Sequence, residues 1–229
     1  MSSISQHLKQ VQQRIANAAR SAKRDPATIQ LLAISKTRPL PDIQHAIAAG
    51  QYAFGENYLQ DALPKIAALA DNETPLQWHF IGAIQSNKTR EIAANFDWVH
   101  TLDREKIARR LSEQRPEGLP PLQVCLQVNI SGEASKSGLD PADVEVLAAT
   151  VAELPGLQLR GLMAIPAATN DVSAQHAAFA KLRALFRQLQ EQGYPLDTLS
   201  MGMSNDLEAA IAEGSNLVRI GTAIFGSRG

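Results

Sequence analysis

The sequence predicts an α/β fold, a closed (β/α)8 TIM barrel with one additional N-terminal helix, on three observations. Short β-rich runs alternate with helical stretches about eight times along the chain, a rhythm that suits parallel strands covered by helices. No Asn-Gly or Asp-Gly hairpin signal stands between them. The 229 residues are close to the usual length of such a barrel. A doubly wound open sheet is the competing architecture. As a dinucleotide binder it would carry a glycine-rich first turn, whereas the first turn here, Ser35-Lys36-Thr37-Arg38-Pro39, has no glycine.

The leading helix takes residues 1–24. Ile4, Leu8, Val11 and Ile15 recur at helical spacing, and Lys9, Arg14, Arg20, Lys23 and Arg24 face no Asp or Glu in this stretch. A targeting or membrane-surface helix can look like this. The narrow apolar stripe fits better a helix laid on the barrel with its charges in water, ended by Asp25-Pro26. Residues 29–35 (IQLLAIS) read as a buried strand, followed by a break at Pro39 and Pro41 and a helix over 42–49. Then come Tyr52-Ala-Phe-Gly with a helix over 57–70, Gln77-Trp-His-Phe with a helix after Ser86, and Trp98-Val-His-Thr-Leu with a helix after Asp103. Residues 122–129 precede a helix opened by Asp140-Pro141, where proline fits the first turn. Residues 157–163 precede a helix near 172–192 with Phe179, Leu182, Phe186 and Leu189 on one face. Thr198-Leu-Ser leads to a short helix from Ser204 or Asn205, where Asn205 and Glu208 have capping-box spacing, and 217–220 closes the series. No linker or low-complexity tract divides the chain, so one domain over 1–229 is expected.

Composition narrows the function. Twenty-two Lys+Arg against 23 Asp+Glu leave a net charge of −1, which offers no global field for nucleic acid. The single cysteine, Cys125, excludes an internal disulfide framework and a cysteine-based zinc cluster. His7, His45, His100 and His176 lack metal-ligand spacing. No apolar run is long enough for a membrane span and the start has no signal-peptide core, so a cytoplasmic protein is expected.

Function in such a barrel sits at the C-terminal ends of the strands. Lys36 stands there directly after an apolar run, where an ion pair, a phosphate contact or a Schiff base would account for it, as would a rim lysine reaching into solvent. Ser200-Met-Gly-Met-Ser204 and Arg219-Ile-Gly221-Thr222 follow the last two strands, the position of a recurrent phosphate site; helix caps alone also explain these residues. Closure makes the first and last strands neighbours, which sets Lys36 beside Arg219. An amine, a phosphate cup and an arginine suit a phosphorylated aldehyde such as pyridoxal 5′-phosphate.

At these residues the sequence resembles the pyridoxal-phosphate homeostasis proteins, relatives of the barrel domain of alanine racemase. The carrying segments are Leu32-Ala-Ile-Ser-Lys-Thr-Arg-Pro39, Phe54-Gly-Glu-Asn-Tyr-Leu-Gln60, Trp78-His-Phe-Ile-Gly-Ala-Ile-Gln-Ser-Asn-Lys88, Val128-Asn-Ile-Ser-Gly-Glu-Ala-Ser-Lys-Ser-Gly138, Leu199-Ser-Met-Gly-Met-Ser204 and Val218-Arg-Ile-Gly-Thr-Ala-Ile-Phe-Gly226. The resemblance implies a fold-type III barrel with Lys36 as the Schiff-base lysine. It also implies Arg219 near the ring nitrogen, Ser200, Ser204, Gly221 and Thr222 around the phosphate, and Asn57 beside the cofactor. Arg38 stands where relatives often carry a second lysine, and Asn205 and Asn216 also depart from the common pattern.

A racemase needs acid/base groups on both faces of the cofactor, and related racemases take one, a tyrosine, from a second domain. The chain is expected to lack that domain, and of Tyr52, Tyr58 and Tyr194 only Tyr58 stands near the site, where an aromatic is usually packing. The expectation is therefore a non-enzymatic carrier, a monomer that buffers pyridoxal phosphate and passes it to apo-enzymes. A slow racemase, or a Schiff-base aldolase without pyridoxal, is the alternative. His79, near a strand end, could line the site but reads more readily as a satisfied core histidine; Lys136, at the rim, is open to binding a second phosphate or to a role in cofactor transfer, and otherwise reads as a solvated loop lysine.

Overall fold

In the computed structural model, which describes residues 2–132 and 137–226, eight parallel strands close into a barrel in chain order. They are β1 (Gln30–Ile34), β2 (Ala53–Glu56), β3 (Gln77–Phe80), β4 (Trp98–Leu102), β5 (Leu122–Gln127), β6 (Leu157–Met163), β7 (Thr198–Ser200) and β8 (Leu217–Ile220). Both faces of these strands are covered, which is why they read as apolar runs rather than as alternating ones. The pleat still separates the two faces. Phe54, Trp78, Phe80, Val99, Val124 and Val218 pack into the main core under the helices. Leu32, Ile34, Ala53 and Leu217 form one smaller cluster, and Trp98, Cys125 and Met163 another, inside the barrel.

Every strand is followed by a helix: α2 (Leu40–Ala48), α3 (Leu59–Ala68), α4 (Thr89–Asn95), α5 (Glu105–Glu113), α6 (Val144–Ala152), α7 (Val172–Glu191), α8 (Leu207–Ala212) and α9 (Thr222–Phe225). The last two are short, and the leading helix α1 (Ser3–Ser21) covers what they leave open, packing on α8, α9 and α2. Its stripe of Ile4, Leu8, Val11 and Ile15 is buried, each such side chain contributing about 1.5–3 kcal/mol. Arg24 Nη1 donates to the carbonyls of Ile211 and Ser215 at 2.7 and 2.6 Å, fastening the end of this segment to the α8 region. Among the described residues no helix is long and apolar enough to cross a membrane.

Among the boundaries that differ from the sequence expectation, three have a clear local basis. α1 stops at Ser21, ahead of Asp25-Pro26, because Lys23 adopts φ 55°. Lys23 N–H then bonds Arg20 O at 2.9 Å and Arg24 N–H bonds Ala19 O at 2.8 Å, a C-terminal cap usually built on glycine. α2 begins at Leu40, so Pro41 lies in its first turn rather than breaking the chain before it. α3 begins at Leu59, two residues later than expected, and carries Pro64 inside it.

Gly161 of β6 pairs with Thr198 of β7, and a Cβ at that position would stand 1.7 Å from the Thr198 carbonyl oxygen. Backbone cannot yield as a side-chain tip can, so Gly161→Ala is expected to cost about 3 kcal/mol or more in a denaturant titration. An unchanged midpoint would contradict this packing.

Candidate functional site

The first site residue, Lys36, stands two positions beyond β1, half-buried in a tight turn. Ser35 N–H bonds Gly55 O at 3.0 Å, Arg38 N–H bonds Ser35 O at 3.0 Å, and Thr37 takes φ 62°. A left-handed threonine is strained, so the turn is held by its surroundings rather than by its own preference. Arg38 Nη2 donates to the Gly226 carbonyl, and its guanidinium lies 6.0 Å from the Phe225 ring centroid. The residue that replaces a second lysine therefore ties the β1 turn to the end of α9.

Barrel closure places Leu32 of β1 opposite Arg219 of β8. Arg219 is 4% exposed. Its Nη1 donates to Ser200 O at 2.6 Å and Ser200 Oγ at 2.8 Å, and Nη2 donates to Ala164 O at 2.9 Å. These acceptors are all neutral, so burial outweighs every other influence and pushes the guanidinium down to about 10, still charged at neutral pH. The bonds consume three of its five N–H donors.

From Ser200 the polar chain runs on through the barrel interior. Its Oγ lies 2.8 Å from His100 Nδ1, and His100 Nε2 lies 2.9 Å from His79 Nδ1. His79 stacks on Trp98 with ring centroids 5.4 Å apart. Ser200 Oγ accepts from Arg219, which can only donate, so its own proton has His100 Nδ1 as its outlet. The direction that satisfies this hydroxyl has His100 carrying its proton on Nε2 and sharing it with His79 Nδ1. His79 Nε2 is buried with no partner among the described residues. Burial holds both imidazoles neutral, His79 down to about 3 and His100 well below its ordinary value, helped by His79 and Arg219.

The expected cup residues divide. Ser204, Gly221 and Thr222 lie at the barrel mouth after β7 and β8, partly or fully exposed. Gly221 is the N-cap position of α9, and a Cβ there would come within 3.3 Å of Ile34 O, so the β8 end approaches the β1 turn closely. Ser200, by contrast, is wholly buried and its hydroxyl is engaged by Arg219 and His100. The capping box expected of Asn205 and Glu208 is not formed. Asp206 is the N-cap position of α8 and its Oδ1 accepts from Met203 N–H at 2.6 Å. Glu208 instead accepts from Arg14 of α1 at 2.5 and 2.7 Å, and Arg14 also donates to Ser204 O at 2.7 Å. The leading helix thereby holds the Ser204 loop.

Asn57 follows β2, and its Oδ1 is buried with no partner among the described residues. It lines a cavity of about 310 Å³ with Tyr58, Phe80, Gly82, Gln85 and Lys88. A Cβ on Gly82 would stand 2.0 Å from Asn57 O, so glycine is required for this approach. Tyr58 is 61% exposed, which overturns the expectation that it packs. Lys136 lies outside the described residues. In the sequence His100 stands out only as a histidine without metal-ligand spacing, and its place in the interior chain is not evident there. Its position two residues after Trp98, on the same face of β4, was the available signal.

The family model for the alanine racemase N-terminal domain matches residues 6–229. A pyridoxal phosphate homeostasis protein of Pseudomonas aeruginosa is 63% identical over 228 residues, covering 100% of this chain and 97% of the relative. That of Escherichia coli K12 is 52% identical over 229 residues, covering 100% and 98%. Among solved structures, PipY of Synechococcus elongatus with PLP bound superposes with a TM-score of 0.80 at 40% identity, covering 93% of this chain and 100% of that one. Alanine racemase of Corynebacterium glutamicum, at 18% identity and a TM-score of 0.67, covers 95% of this chain and 61% of its own, and shares the fold.

The buried histidines give stability a defined pH dependence. Folded His79 takes no proton until about pH 3, whereas the unfolded chain takes one near 6.5. Its contribution is full above pH 6.5 and is lost as the pH falls towards 3, by about 2 kcal/mol at pH 5. His100 adds in the same direction. Denaturant titrations at pH 7 and pH 5 are expected to show a larger loss in the parent protein than in His79→Asn/His100→Asn. Equal losses would contradict neutral burial.

Proposed function

The chain belongs to the pyridoxal phosphate homeostasis protein family, which carries the alanine racemase N-terminal domain, and on that premise we propose that it binds pyridoxal 5′-phosphate at the barrel mouth and hands it on. The observation that supports this reading is the pairing of Leu32 with Arg219, which lays β1, the strand that leads into Lys36, beside the strand of a buried guanidinium. When bound, the cofactor supplies an aldehyde for an amine and a ring that withdraws electrons.

The residues present fit that group. Lys36 is the amine that holds the aldehyde. Arg219, anchored through three N–H bonds, would offer its remaining donors to the ring nitrogen. A guanidinium donates and cannot accept, so Arg219 would hold that nitrogen unprotonated. Ser204, Gly221 and Thr222 receive the phosphate at the mouth, where glycine lets backbone N–H groups approach. Asn57 Oδ1, a buried acceptor without a partner among the described residues, meets a donor of the ligand. Ser200 acts through Arg219, since its hydroxyl is engaged inside the barrel.

This arrangement favours holding over turnover. The interior histidines are neutral and bonded to each other, and Tyr58 is exposed. In this reading the protein works in the cytoplasm as a monomeric single domain, and its recipients are apo-enzymes that need the cofactor. Nucleic acid and membranes have no part in it.

Protein mixed with pyridoxal phosphate is expected to gain a visible absorption band and, after borohydride, a pyridoxyl mass on Lys36. Lys36→Ala loses both, and transfer to a pyridoxal-dependent apo-enzyme proceeds from the parent protein. A colourless protein without that mass favours the aldolase reading. Substrate-dependent exchange of an α-proton in D2O, lost in Lys36→Ala, would establish a racemase and overturn the carrier.

A further inference from the structure

Behind the Lys36 turn lies a buried ion pair that neither the polar chain nor the barrel mouth uses. Glu56, the last residue of β2, is wholly buried and points towards α3. Lys65 of α3 places Nζ 2.8 Å from Glu56 Oε1 and 2.9 Å from the Ser35 carbonyl oxygen. Ser35 Oγ donates to the same Oε1 at 2.7 Å. One carboxylate oxygen therefore joins the end of β1, the end of β2 and a helix.

We propose that Glu56 and Lys65 are positioning residues for Lys36, which they hold through Ser35. The inference rests on the reading that Lys36 carries the cofactor. Ser35 directly precedes Lys36, and all three of its polar groups are committed: N–H to Gly55 O, C=O to Lys65 Nζ and Arg38 N–H, and Oγ to Glu56. The carbonyl belongs to the peptide plane that joins Ser35 to Lys36, so anchoring it sets the plane from which the Lys36 backbone departs. The left-handed Thr37 on the far side completes the clamp. A buried ion pair is a poor means of gaining stability, because desolvation offsets the attraction and apolar packing does as well. Fixing a geometry is its better-attested use, and the geometry fixed here is that of the residue next to the amine.

Two ligands separate positioning of the amine from general integrity of the site. Pyridoxal phosphate has an aldehyde for Lys36, whereas pyridoxamine 5′-phosphate has the same ring and phosphate but no aldehyde. The ratio of their affinities reads what Lys36 adds. In Glu56→Gln and Lys65→Met the ratio is expected to fall about 10-fold, the scale of a lost charged hydrogen bond, with pyridoxamine phosphate binding nearly unchanged. Ser35→Ala keeps the ion pair and removes one bond, so its ratio falls less, about 3-fold; this variant carries the test if Glu56→Gln does not fold. An unchanged ratio in the folded variants, or equal weakening of both ligands, overturns the positioning role. A parent protein with no preference for pyridoxal phosphate overturns the underlying reading of Lys36, and the pair with it.

Discussion

Parallel pairing of the first strand with the last, with Leu32 opposite Arg219, is the contact on which the rest of the molecule depends. An open sheet of the same strands would leave Lys36 and Arg219 at opposite edges. Closure sets the strands that lead to them side by side and removes the exposed strand edges as well. It also accounts for the leading helix. Where α8 and α9 are too short to cover β7, β8 and β1, α1 lies across them and holds the Ser204 loop through Arg14.

The barrel interior is not uniformly apolar. Leu32, Ile34 and Leu217 fill one part and Trp98, Cys125 and Met163 another, while Arg219, Ser200, His100 and His79 form a hydrogen-bonded chain inside the same barrel. Burying a cation against neutral acceptors costs stability, visible as the lowered Arg219 value. Neutral histidines limit that cost, since a second buried cation would add repulsion. The cation and the rigid turn at Lys36 lie at the same end of the barrel, consistent with the rule that such barrels place stability at one face and chemistry at the other.

Much of this was legible in the sequence. The strand–helix rhythm found every strand, and the polar residues after strands one, seven and eight marked the mouth. Other features depended on facts a single sequence hides. Ser200 and Ser204 look like one serine-rich loop, but strand register turns the first into the barrel and leaves the second at the rim. His79 and His100 belong to different strands and meet only once β3 and β4 pair. Glu56 reads as part of a loop motif, and its partnership with Lys65 depends on which way the last residue of β2 faces. Asn205 and Glu208 have the spacing of a cap, yet Arg14, 194 residues away from Glu208, takes the carboxylate. The end of α1 escaped notice because a lysine fills the left-handed position where glycine is the usual marker.

The central claim is that Lys36 and Arg219 address one ligand from adjacent strands. A crystal structure of the borohydride-reduced complex with pyridoxal phosphate tests it most directly. Continuous density is expected from Lys36 Nζ to the cofactor, with Arg219 within hydrogen-bonding distance of the ring nitrogen and the phosphate beside Ser204, Gly221 and Thr222. Density on another lysine, or a ring turned away from Arg219, would contradict it.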